Sequence, residues 1–162
     1  MADHPTYLDV LRNLLLLEKV ATLATTDREG HLQVSMVPFA MDSHAGDMIV
    51  HVSTLASHTT NLQSHSVAAV LVMQADQLNT NVHALPRVSI QVESRFVERH
   101  TALYELTKSL YLAKFADMAF MTEFADFSFV RLTPHTVRLV SGFGAAKTLQ
   151  LEQWQQAMAQ AC

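Results

Sequence analysis

The residues able to do chemistry gather in one stretch, Met48 to Leu62 (M-I-V-H-V-S-T-L-A-S-H-T-T-N-L). Ser57 and Thr59 offer hydroxyls there, and His58 a ring nitrogen. They follow a β-branched run, Ile49, Val50 and Val52, of strand length. The break at Ser53-Thr54 leads into what reads as the first turns of a helix. A strand running into a hydroxyl-rich helix start can hold an anion, because the first free N–H groups point outward at the positive end of the helix dipole. The competing reading is that Ser57 merely caps the helix, and local sequence alone leans that way.

Other constellations are weaker. His44, His51, His58 and His65 recur every seven residues, but the period crosses a turn, a strand and a helix, and only His58 and His65 could share a helix face. No H-E-x-x-H pair exists, so no metal site is expected. No G-x-S-x-G elbow exists either, which disfavours a hydrolase triad. The eight methionines, Met118 and Met121 among them, read as core filler rather than haem ligands.

Composition narrows the class. The chain has 162 residues, 49% of them hydrophobic and 16% charged, which fits one globular domain with a real core. The net charge is −4 and no Lys/Arg run occurs, so nucleic acid is not an expected partner. The sole cysteine, Cys162, excludes an internal disulfide. The longest apolar run, Val67 to Met73, is too short for a membrane helix, and the first residues lack the basic region of a signal peptide. A cytoplasmic protein is expected.

These residues need elements to position them. After Pro5, the stripe Tyr7, Leu8, Leu11, Leu14, Leu15 has helical spacing. Val20–Thr26 and 31–41 read as strands joined by a turn in which Gly30 supplies positive φ. Pro38 places the second strand at an edge or bulge. Val67–Met73, wholly apolar, reads as a strand buried on both sides. Pro86 to Glu98 alternates at first, with Val88, Ile90 and Val92 on one side and Ser89, Gln91 and Glu93 on the other. Thr101 caps a helix with Leu103, Leu106 and Leu110 on one face. Phe115 to Phe124 could be helix or loop. Phe127–Leu132 and Thr136–Val140 read as two strands around Thr133-Pro134-His135. Thr148 could cap a last helix bearing Leu151, Trp154 and Met158. The expected class is mainly β with flanking helices, a closed barrel: an N-terminal helix over 1–19, the barrel over 20–144 and a C-terminal helix over 148–162, in one domain spanning 1–162.

Val20–Thr26, Val34-Ser35-Met36-Val37-Pro38-Phe39-Ala40, Leu55 to Leu62, Pro86-Arg87-Val88-Ser89, Ala125-Asp126-Phe127 and Gly142-Phe143-Gly144-Ala145-Ala146 together resemble the pyridoxamine 5′-phosphate oxidase-like FMN-binding split barrels, in particular their haem-utilisation-type branch. The resemblance implies a six-stranded antiparallel split barrel that forms a homodimer with flavin sites between subunits. It implies that Ser35, Met36, Val37 and Pro38 run beside the flavin ring, followed by Val52 and Ser53. Ser57, His58 and Thr59 would take the phosphate, and Phe143 would approach from the partner subunit. Oxidases of the family surround the phosphate with Arg and Lys; the matching places here hold Ser35, His58 and Thr59, so FMN is held less firmly or Lys147 or Arg87 assists. Only Arg138 could serve a substrate phosphate, which argues against the vitamin substrate. The expected function is an FMN-dependent oxidoreductase of unknown substrate. The alternatives are a haem-binding or haem-degrading protein on the same fold, weakened by the absence of His after Trp154, and a flavin binder without turnover.

Overall fold

The structure is a computed structural model and describes residues 6–76 and 81–159. Six strands close into an antiparallel barrel: β1 (Val20–Thr26), β2 (Leu32–Asp42), β3 (Asp47–Ser53), β4 (Val67–Met73), β5 (Arg87–Phe96) and β6 (Phe127–Val140). The order β3-β2-β1-β4-β5-β6 is closed by pairing of β6 with β3, and a short β7 (Ala146–Leu149) extends the far half of β6. Closure removes the open edges that six short strands would otherwise expose. Helices α1 (Tyr7–Leu17), α2 (Ser57–Ser64), α3 (Ala102–Lys114) and α4 (Leu151–Ala159) pack around it. The expected barrel with flanking helices is the observed architecture. Among the described residues no helix is long and apolar enough to cross a membrane.

The barrel interior holds alternate residues of every strand, Leu23, Phe39, Val50, Val70, Ile90 and Leu132 among them. α1 buries Leu11, Leu14 and Leu15 and starts at a Thr6–Asp9 capping box; the expected start at Pro5 lies outside the described residues. Gly30 takes φ +89° in the β1–β2 turn, as its position required. Gly46 takes φ +79° in the β2–β3 turn, and α4 lies against it: the buried Trp154 Nε1 donates to its carbonyl at 2.9 Å.

Several elements differ from the sequence reading. β4 is buried on one face only: Ala68, Val70 and Val72 point inward, while Val67 and Met73 are exposed. Its apolar outer face is uncovered in a single chain. The two strands expected around Pro134 are one strand of 14 residues, bulged where Val92 pairs with Pro134 and Gln91 with Thr136. A bulge tolerates the missing N–H of proline. α3 is capped by Thr101 as expected, but buries Tyr104, Thr107 and Tyr111; Leu106 is exposed. The polar Thr107 is inside because it accepts from Arg131 at 3.1 Å. Thr148 lies in β7, and α4 begins at Leu151 with Trp154, Ala157 and Met158 buried. The segment left open resolves as 3-10 turns over Ala116–Glu123.

Candidate functional site

The barrel splits where β2 and β3 part. β2 pairs with β1 as far as Pro38, opposite Val20, and its ladder to β3 begins only at Phe39, opposite Val50. Pro38 therefore sits at a local edge, as its lack of an N–H demands. In this gap lies a cavity of about 270 Å³, lined by Met36, Val37, Pro38, His51, Val52, Ser53, Ala56, His58, Tyr111, Met118, Met121 and Phe127. Six of the ten candidate residues line it: Met36, Val37, Pro38, Val52, Ser53 and His58.

The turn from β3 into α2 is held by its own hydrogen bonds. Ser53 Oγ donates to Asp126 Oδ2 at 2.8 Å and accepts from the Leu55 N–H at 3.1 Å. The Thr54 N–H donates to the Asp126 carbonyl at 2.8 Å. Thr59 is buried, and its hydroxyl donates to the Ser53 carbonyl at 2.5 Å. That hydroxyl proton is thus committed inside the turn. Asn61 donates to Thr25 at 3.0 Å and Gln33 at 3.2 Å, fixing α2 onto β1 and β2.

The N-cap of α2 is Ala56, which has no capping side chain, so Ser57 is not the cap. Ser57 is exposed, and among the described residues the N–H groups of Ser57 and His58 have no protein acceptor. The helix start is open, as an anion would require. His58 is half-buried, and burial lowers its pKa, so it is more readily neutral at this opening than a free histidine. Ser35, Ser57 and Thr59 flank the cavity in sequence without lining it. Phe143 stands elsewhere, 76% exposed in the β6–β7 turn, where the Ser141 N–H donates to the Ala145 carbonyl.

Sequence reading missed half of the wall. His51 is 8% exposed and stacks on Phe129 with ring centroids 4.3 Å apart; Phe127 lies at 4.9 Å and Tyr111 at 5.8 Å. Its Nε2 is buried without a hydrogen-bond partner. Burial, then the charges of Arg99 and Lys108, push its pKa down to about 4. Met118 and Met121, read as core filler, wall the cavity from the 3-10 segment. His51 and His58 meet at the cavity because the strand–turn–helix reversal brings them back together, whereas His65 only ends α2. A strand position facing α3 had no local signal to mark it.

Three similarities place this geometry. The chain is 36% identical over 119 residues to the chloroplastic heme oxygenase HOZ of Arabidopsis thaliana, covering 73% of this chain and 34% of that protein. It is 26% identical over 129 residues to the heme oxygenase HutZ of Vibrio cholerae, covering 79% of this chain and 72% of that one. The chain thus spans about a third of the first relative and nearly three quarters of the second. A heme binding protein from Mycobacterium smegmatis shares the fold, with TM-score 0.83 and 23% identity, over 96% of this chain and 62% of that one. Residues 8–141 match the model of the pyridoxamine 5′-phosphate oxidase family, and the chain belongs to that family as a split barrel.

Proposed function

We propose that this protein binds haem at the split of the barrel, and that the heme oxygenase activity named for its two relatives is the reaction to assay. The carrying observation is the cavity wall: three methionines, Tyr111, Phe127 and a neutral His51 line it, and no Arg or Lys does. The face of a porphyrin is broad and apolar, and such a wall suits that face, with the two haem carboxylates directed out of the cavity. A flavin phosphate dianion favours cationic partners, which this wall lacks. A bound haem would supply the iron chemistry; the chain supplies an apolar wall, imidazole nitrogen and exclusion of water. The test is titration of the purified protein with hemin and, separately, FMN. A shifted Soret band with saturable binding supports the reading. FMN binding with no hemin uptake overturns it.

FMN is the second reading, favoured by the open start of α2 with its free Ser57 and His58 N–H groups. In that case Ser35 to Pro38 and Val52–Ser53 would flank the ring, and the protein would act as an oxidoreductase or hold flavin without turnover.

A homodimer belongs to either reading. The outer faces of β2, β1 and β4 align in rows, Met36–Thr22–Leu71 and Val34–Ala24–Ala69. Leu32, Val34, Met36 and Val67 are each at least 65% exposed there. A contiguous apolar face of this kind marks an interface, and a second copy would bring Phe143 toward a shared site. Light scattering should give a dimer, and Val34→Glu a monomer; a monomeric wild type overturns the assignment. The cytoplasm remains the expected location.

A further inference from the structure

We infer that His51 is the polar anchor of the cavity: it offers its unpartnered imidazole to the planar ring that binds there, and its placement weakens the empty protein in exchange. This inference rests on reading the cavity as a cofactor site, and it assigns a residue outside the phosphate segment and the β2 run.

Three observations carry it. His51 lines the cavity. It is nine-tenths buried, yet its Nε2 has no hydrogen-bond partner among the described residues. Its ring is clamped in place by Phe129, Phe127 and Tyr111. Buried polar groups are nearly always paired, and one that is not calls for a cause. Packing alone does not supply that cause, because a phenylalanine ring would fill the same aromatic stack without an orphaned nitrogen. Ser94 Oγ, the other buried side-chain atom without a partner among the described residues, is a small rotatable hydroxyl on β5 that lines a different hollow. At His51 the ring is held among three aromatic side chains, and the residue lines the cavity. The occupant that would use a neutral nitrogen in an apolar wall is a conjugated ring with polar atoms or a metal at its centre or edge. Hemin and FMN are the two probes with that chemistry.

A merely structural histidine and an anchor respond oppositely to one substitution. His51→Phe removes the orphan and keeps the aromatic stack, so the empty variant should melt higher than wild type. The same variant should bind hemin about tenfold more weakly, the equivalent of about 1.4 kcal/mol. His51→Gln, which keeps a polar atom, should recover part of the affinity. If His51→Phe binds hemin as tightly as wild type, the inference falls while the haem reading stands. If wild type takes up FMN and not hemin, the haem reading falls, and the same comparison with FMN decides the inference. A wild type that takes up neither overturns both. Should His51→Phe fail to fold, nitrogen NMR of the wild-type His51 ring, with and without a diamagnetic gallium protoporphyrin, decides it: shifted ring nitrogens uphold the anchor, and unmoved ones overturn it.

Discussion

Beneath α3, Thr107 and Tyr111 stand one helical turn apart and meet two buried polar groups of the sheet in opposite circumstances. Under Thr107 lies Arg131, 3% exposed. It donates to Asp42 at 2.5 Å, Asp47 at 2.9 Å and Thr107 at 3.1 Å, and Asp47 accepts in turn from Thr133 at 2.9 Å. Under Tyr111 lies His51, also buried, with aromatic rings around it and no partner for Nε2. Burying a charge is tolerable only when its hydrogen-bonding capacity is met, and at Arg131 it is. The network joins β2, β3, β6 and α3, and pairs the buried guanidinium with both carboxylates. The histidine is unmet on the same strand that carries Asp47, and it faces a cavity. Satisfaction marks the first as structure, and its absence at a clamped ring lining a cavity is what the proposed anchor rests on.

The largest effect should come from breaking the satisfied side. Arg131→Met strands two buried carboxylates without their cation, which costs roughly 3–5 kcal/mol. Urea unfolding would measure it, and a loss under about 1 kcal/mol would mean that the two carboxylates readily find other partners. Hemin affinity of any folded fraction should be unchanged, because Arg131 does not line the cavity.

The next effect is a pH dependence that separates the two groups. The folded pKa of His51 is lowered from 6.5 to about 4. A histidine held neutral in the fold leaves stability intact above pH 6.5; that stability is lost as pH falls from 6.5 toward 4, where only the unfolded chain takes up the proton. The loss is on the order of 3 kcal/mol. Asp42 works lower. Burial raises its pKa, but bonds from the Ala45 N–H and Arg131 outweigh it and bring the pKa below 3.8. Its contribution is present above 3.8 and lost as pH falls further. Urea melts at pH 7, 5.5 and 4.5 should therefore decline steeply for wild type and less for His51→Phe, where His58, its pKa also lowered by burial, still titrates. A decline of the same size in that variant would assign the acid sensitivity to other groups.

Thr59 comes third. Thr59→Val removes the hydroxyl that donates to the Ser53 carbonyl, which still accepts from the Ala56 N–H at 3.1 Å, so the loss should be about 1 kcal/mol. A thermal melt checks it.

How much of this contrast could be read from the residues follows from the range of the signals. The strands of the barrel were legible because alternation is local: Val88, Ile90 and Val92 turn inward as their spacing requires. The gap at Pro38 was legible because proline lacks an N–H wherever it sits. The Arg131 network and the His51 wall were not, because each joins residues far apart in sequence, such as Asp42 with Arg131 and His51 with Met118. β4 misled for the same reason. Its seven apolar residues fit burial on both faces, and only the barrel as a whole shows that Val67 and Met73 face outward. The family resemblance gave the frame and located six cavity residues, but it was silent on the histidine between the phenylalanines.

The smallest effect sharpens the other wall of the cavity. If Ser57 were the cap of α2, Ser57→Ala would cost about 1 kcal/mol. Ala56 is the N-cap and makes no side-chain capping bond, and Ser57 is exposed, so the substitution should change stability by less than about 0.5 kcal/mol. Its effect on ligands is the informative part. An exposed hydroxyl beside two free N–H groups can matter only to a ligand that brings an anion to the helix start. Ser57→Ala should then weaken FMN severalfold, leave riboflavin unchanged, and leave hemin unchanged if haem is held by the apolar wall alone. Equal loss for FMN and riboflavin would remove the phosphate from this helix. A loss for hemin would instead bring a haem carboxylate to the same N–H groups, and would join the two walls into one site.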